Sequence, residues 1–310
     1  MIPIFESIVP VFLIVLLGVA LRRWRAIDAG FWRGLEQMGY YVLFPAFLFQ
    51  TLYTANFSNV PLVRVGGSAL LSVFLVSLLL LLAWPPLARR GLAPASFTTI
   101  FQTSSRWNAF VALAVAEKLA GAEGVAVVAF VMAVIVLPIN LVNVSVLVWF
   151  SNSDRQWLSF VRRIVTNPVV LASLAGLAAR ALPFAIYPPV DEAIALVGRA
   201  ALGLGLIMVG AGLRIEDALR PGSASLGPLV VKLVGFPILM MALGTAFGVD
   251  PASFYMLVLC ASVPTAMNGF VLARQLGGDA PLYAVVTTLQ VIASFFTIPG
   301  MLWLASVVGG

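Results

Sequence analysis

The stretch that decides the fold is CASVPTAMNGFVLARQLGG, residues 260–278, which lies inside an apolar segment long enough to cross a membrane. Pro264 has no N–H to donate to the carbonyl of Cys260, so an incoming helix is predicted to stop there. Asn268 is predicted to cap a second half-helix that ends before Gly277. In hydrocarbon, irregular backbone is tolerated only where protein buries it or where it lines a wet cavity. The break therefore predicts a polar cavity within the bilayer.

A second interrupted segment occurs earlier in the chain, TSSRWNAFVALAVAEKLAG at 103–121. Its apolar run is broken by the residues Ser104, Ser105, Arg106 and Trp107, and Asn108 is predicted to restart the helix. The pattern Asn-x-Phe-Val at 108–111 recurs at 268–271, and each segment precedes an apolar helix with an internal proline. Several matches in the same order indicate an internal duplication.

The composition is that of an integral membrane protein. The 310 residues are 62% hydrophobic and 10% charged, with a mean hydropathy of +1.07, which is far too apolar for a soluble domain. A spanning helix needs about 20 apolar residues, and such stretches lie at 3–21, 32–53, 66–88, 96–119, 124–149, 164–182, 190–212, 226–247, 252–276 and 281–306. We therefore expect an all-α fold of ten transmembrane helices. The first stretch is predicted to be a mature helix, because arginines follow it and none precedes it.

The basic residues segregate by loop, which argues against nucleic acid as the reason for the net charge of +6. The odd-numbered connections carry Arg22, Arg23, Arg25, Arg33, Arg89, Arg90, Arg155, Arg162, Arg163, Arg214, Arg220 and Arg274. The even-numbered connections carry only Arg64, Lys118 and Arg180. The positive-inside rule then places the odd loops in the cytoplasm and both termini on the extracytoplasmic side of the cell (inner) membrane.

This orientation has a consequence for the duplication. Five helices in each half give the halves opposite orientations, so 1–150 and 166–310 are predicted to form a 5+5 inverted repeat. The cytoplasmic connector between them is predicted at 151–165. Inverted repeats with discontinuous helices that meet at the bilayer midplane recur in secondary transporters.

The residues that are missing exclude most chemistry. The chain has no histidine, and every aspartate falls in a loop or at a helix end. This pattern argues against metal sites, catalytic triads and paired buried carboxylates. With no Walker motif either, we expect no enzyme activity, no metal and no cofactor.

The candidate binding residues surround the two breaks. A charge at the position of Arg106 costs roughly 2.5–3.5 kcal/mol inside a membrane, so this arginine should face a partner or water. Two half-helix N-termini near Asn108 and Asn268 add partial positive charge. The predicted anion-binding set is Arg106, Asn108, Pro264, Asn268, Ser105, Thr265, Asn140 and Gln290. Two alternatives stay open: Arg106 pairs with a protein acid or carbonyls, and Asn140 joins neighbouring helices instead of lining the cavity.

PTAMNGFVLARQLGG at 264–278, RWNAF at 106–110 and the duplicated ten-helix layout resemble the auxin efflux carrier family of permeases. The family includes plant auxin carriers and bacterial permeases for malonate or related organic acids. The resemblance implies a fold similar to bile-acid sodium symporters, in which helices 4 and 9 cross at their broken middles. The implied crossover residues are Asn108, Pro264 and Asn268.

The resemblance also implies a division of labour. Helices 1, 2, 6 and 7 would form a scaffold and homodimer face, and helices 3–5 and 8–10 a transport domain that moves as an elevator. The plant carriers have a proline at both crossings, whereas this chain has Ser104-Ser105-Arg106 at the first, which favours a smaller and more strongly charged acid.

These inferences predict a secondary transporter of a small organic anion, a carboxylate or dicarboxylate, that works in the lipid bilayer. Coupling to protons or to sodium is left open by the sequence. The alternatives are a sodium-coupled bile-acid-type symporter, whose cation sites need more mid-membrane acids than this chain has, and a non-transporting membrane ligand sensor. The second lysine, Lys232, lies near a predicted helix end and is expected to snorkel toward water.

Overall fold

The computed structural model describes residues 2–58, 60–150, 166–183, 185–219 and 221–309, and all regular structure within these ranges is helical. The helices are α1 (Ile2–Arg23), α2 (Ala29–Met38), α3 (Phe44–Thr54), α4 (Leu62–Arg89), α5 (Pro94–Ser105), α6 (Ala109–Phe150), α7 (Pro168–Arg180), α8 (Pro188–Ala211), α9 (Ile215–Ala218), α10 (Leu226–Val230), α11 (Phe236–Ala246), α12 (Pro251–Ser262), α13 (Asn268–Gln275) and α14 (Ala280–Val308). Single π-helical turns, Gly39–Leu43 and Val231–Gly235, join α2 to α3 and α10 to α11. The predicted connector 151–165 lies outside the described residues.

Several of the helical stretches are long and apolar enough to cross a membrane. Among the described residues they are Ile4–Arg23, Leu62–Arg89, Pro94–Phe150, Pro188–Ala211, Ser223–Ala246 and Ala280–Val308. Two shorter helices, α7 and α12, are also apolar. The chain is thus an all-helical, multi-pass membrane protein, as predicted, while the count of ten spans and the inverted repeat remain predictions.

A kink divides α6 where the sequence predicted a connection between two helices. Ala120 and Gly121 have non-helical backbone angles, and Gly121 has a φ of +55°. Only glycine adopts positive φ at little steric cost, so this residue allows the chain to turn between the part of α6 that follows the first break and the long apolar part beyond it.

The helices α1, α3, α7 and α8 pack closely against one another through glycines. A Cβ at Gly210 of α8 would lie 1.8 Å from the carbonyl oxygen of Val15 in α1, and one at Gly18 would lie 2.1 Å from that of Ile207. A Cβ at Gly176 of α7 would lie 2.6 Å from the carbonyl oxygen of Phe49. Such small residues let membrane helices approach closely, so these four helices form a tightly packed group.

The start of α14 is fastened to the start of α5. The side chain of Asp279 caps α14 by accepting from the Leu282 amide at 3.0 Å, and its other oxygen accepts from the Ser96 hydroxyl at 2.8 Å. The Thr99 hydroxyl donates to the Asp279 carbonyl at 3.0 Å. These contacts set α14 against α5 and so position the site described below.

Substitution of Gly210 by alanine is expected to destabilise the protein by about 1–3 kcal/mol, because the new methyl group overlaps the backbone of α1. The measurement is thermal unfolding of purified protein in detergent. Gly203→Ala in the same helix is the matched control, since a Cβ there meets nothing within 4 Å. Equal unfolding temperatures for the two variants would contradict the close packing of α1 on α8.

Candidate functional site

The first break follows α5. Arg106 is extended, with φ −70° and ψ 159°, so the helix ends at Ser105. The side chain of Asn108 accepts from the Val111 amide at 3.3 Å and caps the start of α6. The predicted interruption and the predicted restart at Asn108 are both confirmed.

The second break follows α12, which ends at Ser262, just before Pro264. The predicted stop is confirmed, but the prediction that Asn268 caps the next half-helix is wrong. The cap position is Met267, which makes no side-chain capping bond, and α13 already includes Asn268 as its first residue. The turn closes instead through the Phe270 amide, which donates to the Met267 carbonyl at 3.0 Å.

The two breaks are in direct contact. The backbone N–H of Asn108 donates to the backbone carbonyl of Pro264 at 2.7 Å. The buried Gln290 side chain of α14 accepts from the Thr265 amide at 2.9 Å and donates to the Thr103 carbonyl at 2.9 Å and to the Pro228 carbonyl at 3.1 Å. One side-chain amide therefore joins α5, α10 and the second break, at a depth where each backbone group needs a partner.

Arg106 is the charged group of this region, and it is only 3% exposed. Its Nε donates to Gln102 Oε1 at 3.3 Å and its Nη1 to Asn140 Oδ1 at 3.0 Å. Its Nη2 has no hydrogen-bond partner among the described residues. Within the same residues, the ion pairs are exposed ones that do not involve Arg106. The partners of the guanidinium are therefore neutral amides, so that its positive charge is not compensated and its Nη2 donor is unpaired among the described residues.

Two further buried groups near Arg106 lack partners in the described part of the chain: Gln102 Nε2 and the Ser104 hydroxyl. The Ser105 hydroxyl, by contrast, has acceptors for its proton: the Phe101 carbonyl at 2.9 Å and Asn143 Oδ1 at 3.1 Å. Sequence reasoning missed Gln102, although its position one helical turn before Arg106 was a usable signal.

Tyr283 was also missed. Its hydroxyl donates to the Ala266 carbonyl at 2.6 Å and lies 3.4 Å from the Thr265 hydroxyl. A Cβ at Gly269 would lie 2.1 Å from this hydroxyl oxygen, so the start of α13 passes close over the ring. Tyr283 lies two helical turns before Gln290 on the same face of α14, and this spacing was a usable signal.

The structure divides the predicted residues into groups. Ser105 and Asn140 lie with Arg106, and Asn108, Pro264, Thr265 and Gln290 form the contact between the breaks. Asn268 is exposed and is not joined to either group by the hydrogen bonds above.

A separate cavity of about 730 Å³ lies between α6 on one side and α1, α3 and α8 on the other. Its polar lining includes Gln50, Thr51, Thr54, Asn56, Glu117, Lys118, Glu123 and Arg199. None of the predicted binding residues lines it. The cavity therefore lies at the boundary between the glycine-packed helices and the helix that follows the first break.

The expectation for Lys232 is wrong. Its side chain is fully buried, and its Nζ donates to the Ala261 carbonyl at 2.6 Å. The π-helical turn Val231–Gly235 carries Lys232, and position near a helix end alone could not indicate which side of the helix the residue would face.

Gln290→Leu is expected to lower the unfolding temperature strongly, because each buried group left without a partner costs about 1–3 kcal/mol. Thr297→Val on the same helix is the control, since the Thr297 hydroxyl has no partner within the described ranges. Thermal unfolding in detergent compares the two. If Gln290→Leu unfolds at the same temperature as Thr297→Val, the amide does not hold the breaks together.

Part of the chain is similar to known membrane transport proteins. Residues 153–302 match a family described as membrane transport protein. Over 149 residues, 47% of this chain, the sequence is 35% identical to a protein named "Putative malonate transporter" from Rhizobium meliloti (strain 1021). The aligned part is 46% of that relative, so the chain spans about half the length of the curated relative it matches. Through this region the chain is similar to membrane transport proteins, in agreement with the resemblance of its broken helices to the auxin efflux carrier permeases.

Proposed function

We propose that the protein is a secondary transporter of a small organic anion, a carboxylate or dicarboxylate. The observation that carries the proposal is the free Nη2 donor of Arg106, on a buried guanidinium whose two described partners are neutral. A buried charge without a counter-charge is costly inside a membrane. A carboxylate substrate would supply the counter-charge. The similarity of residues 153–302 to membrane transport proteins supports the same conclusion, and the relative of Rhizobium meliloti bears the name of a malonate transporter.

The donors around Arg106 suit a carboxylate. Arginine presents planar N–H groups that match two carboxylate oxygens, and such charge-assisted bonds are about twice as strong as neutral ones. Gln102 Nε2 and the Ser104 hydroxyl offer two more donors without partners in the described residues. A short carboxylate could therefore be held from several directions. A large apolar acid such as auxin would find few apolar contacts among these groups.

Binding requires the protein to open, because Arg106 is buried in the described state. The cavity beside α6 supplies a place where two groups of helices can separate. The scaffold of this proposal consists of α1, α2, α3, α7 and α8, and the transport domain of α4, α5, α6 and α10 to α14. The dense glycine packing within the scaffold and the cavity at its border favour movement of one rigid group along the other.

We further propose that the halves 1–150 and 166–310 form an inverted repeat. The predicted spanning helices at 96–119 and 252–276 cross at their breaks, and the scaffold supplies a homodimer face. The protein lies in the inner membrane with both termini outside. The contact between Asn108 and Pro264 supports the crossing, since the two residues belong to different broken segments.

Proteoliposomes test the function. Uptake of radiolabelled malonate, succinate and acetate is measured with the external cation either sodium or choline, and with or without a proton gradient. Saturable uptake of a di- or monocarboxylate supports the carrier. Uptake that requires sodium would instead favour the symporter alternative. Carboxylate binding with a rise in unfolding temperature but no uptake in any condition would favour a ligand sensor.

Arg106→Gln is expected to reduce carboxylate uptake and binding by about tenfold or more, because a hydrogen bond to a charged group contributes roughly 1.5–3 kcal/mol. Binding is measured as the shift in unfolding temperature on addition of the carboxylate. Arg90→Gln is the matched control, since it removes the same charge from an exposed position at the end of α4.

The comparison between these two variants decides the assignment of the site. Arg90→Gln is expected to transport like the wild-type protein. If Arg106→Gln does so as well, and keeps the same ligand-induced shift, the anion binds elsewhere in the protein.

A further inference from the structure

At the second break, the last carbonyls of α12 receive no hydrogen bond from a following helical amide. In a continuous helix the Ala261 carbonyl would accept from the amide of Thr265. Here that amide donates to Gln290 Oε1 at 2.9 Å instead. The neighbouring carbonyl, that of Cys260, faces a proline position and has no amide to accept from. The last turn of α12 therefore presents backbone oxygens inside the protein.

Lys232 fills this position. Its ammonium donates to the Ala261 carbonyl at 2.6 Å and lies 4.6 Å from the centre of the Phe236 ring. The residue is 0% exposed, and no carboxylate of the described residues forms an ion pair with it. Its stabilisation comes from a helix C-terminus, where backbone carbonyls carry partial negative charge, and from an aromatic face, which attracts cations.

This arrangement has the electrostatics of a cation site. In transporters with discontinuous helices, the carbonyl ends of half-helices and unwound carbonyls are where coupling sodium ions or protons are held. At the end of α12 the positive charge belongs to the chain. We propose that Lys232 is a built-in cation that takes the place of an inorganic cation at the second break, so that the break is stable, and the carrier competent, without sodium bound there.

This inference rests on the proposed transport function for its uptake readout, but its unfolding readout stands alone. Lys232 acts here as a positioning residue, because it holds the carbonyl end of the break and touches neither Arg106 nor the groups around it in the described hydrogen bonds. Lys232 therefore differs in role from Arg106, which offers a free donor to the substrate.

The test is chemical rescue. Lys232→Ala removes the equivalent of n-propylammonium, so that small amine can refill the space and restore the charge. The variant is expected to lose uptake by about tenfold or more, as for a buried hydrogen bond to a charged group, and to unfold at a lower temperature. Added n-propylammonium is expected to raise both uptake and unfolding temperature in a saturable way, whereas 1-propanol, of similar length and uncharged, is not.

Matched variants sharpen the result. Lys232→Met keeps the length of the side chain without the charge and leaves no room for the amine, so it should be impaired and not rescued. Lys118→Ala removes the other lysine of the chain, which is exposed, and its unfolding temperature should not respond to n-propylammonium. Wild-type uptake and unfolding temperature should be equal in sodium and in N-methyl-D-glucamine at the same ionic strength.

Three outcomes would overturn the proposal: wild-type protein that needs sodium for uptake, Lys232→Met that transports normally, or folded Lys232→Ala that neither n-propylammonium nor sodium restores. If Lys232→Ala and Lys232→Met do not fold, two other measurements test the proposal. They are uptake by Lys232→Arg and the comparison of wild-type uptake with and without sodium. Sodium-independent uptake together with an active Lys232→Arg supports the built-in cation, and an inactive but folded Lys232→Arg overturns it. Rescue of unfolding temperature in a protein without any uptake would uphold the cation site and refute transport.

Discussion

The structure depends on the need to pair backbone groups where a helix is broken inside a membrane. Lipid offers no hydrogen bonds, so each exposed amide and carbonyl at a break must be met by protein or enclosed water. The pairs are specific: the Asn108 amide with the Pro264 carbonyl, the Thr265 amide with Gln290, and the Ala261 carbonyl with Lys232. Together with the bonds from Gln290 to the Thr103 and Pro228 carbonyls, these bonds connect α5, α10, α12 and α14. The packing of those helices follows from the requirement that all of these partners meet at one depth.

The two breaks differ in what they leave unused. At the second break, Gln290, Lys232 and Tyr283 occupy the backbone groups, and the chain itself supplies the charge. At the first break, the Arg106 guanidinium is supported only by amide oxygens and keeps a donor that nothing in the described residues accepts from. Free hydrogen-bonding capacity and uncompensated charge therefore occur together at the C-terminal end of α5, on Gln102, Ser104 and Arg106. Under the proposed function, this is where a carboxylate would find an unpaired donor and an uncompensated positive charge.

The sequence predicted the breaks because their causes are local. A proline without an N–H ends a helix whatever packs around it, and an asparagine after an extended residue can cap the next helix, as Asn108 does. The Asn268 cap was predicted wrongly because α13 begins one residue earlier than the pattern suggested, where Tyr283 holds the Ala266 carbonyl from another helix. Such a contact depends on tertiary packing, which no local pattern encodes. Lys232 was misplaced for the same reason, since its partner lies on α12 and its direction depends on a π-helical turn.

The partners of the two buried cations suit different roles. Arg106 is held by the side-chain oxygens of Gln102 and Asn140, and exchanging these for carboxylate oxygens would break no backbone hydrogen bond. Lys232 is held by a backbone carbonyl of the break itself, and its removal would leave that carbonyl unpaired. A group that must exchange its ligand in every transport cycle is suited by side-chain partners. A group that must hold a broken helix together is suited by a backbone carbonyl. Under the proposed function, the placement of the arginine just after α5 and of the lysine against α12 would separate ligand exchange from the maintenance of the fold.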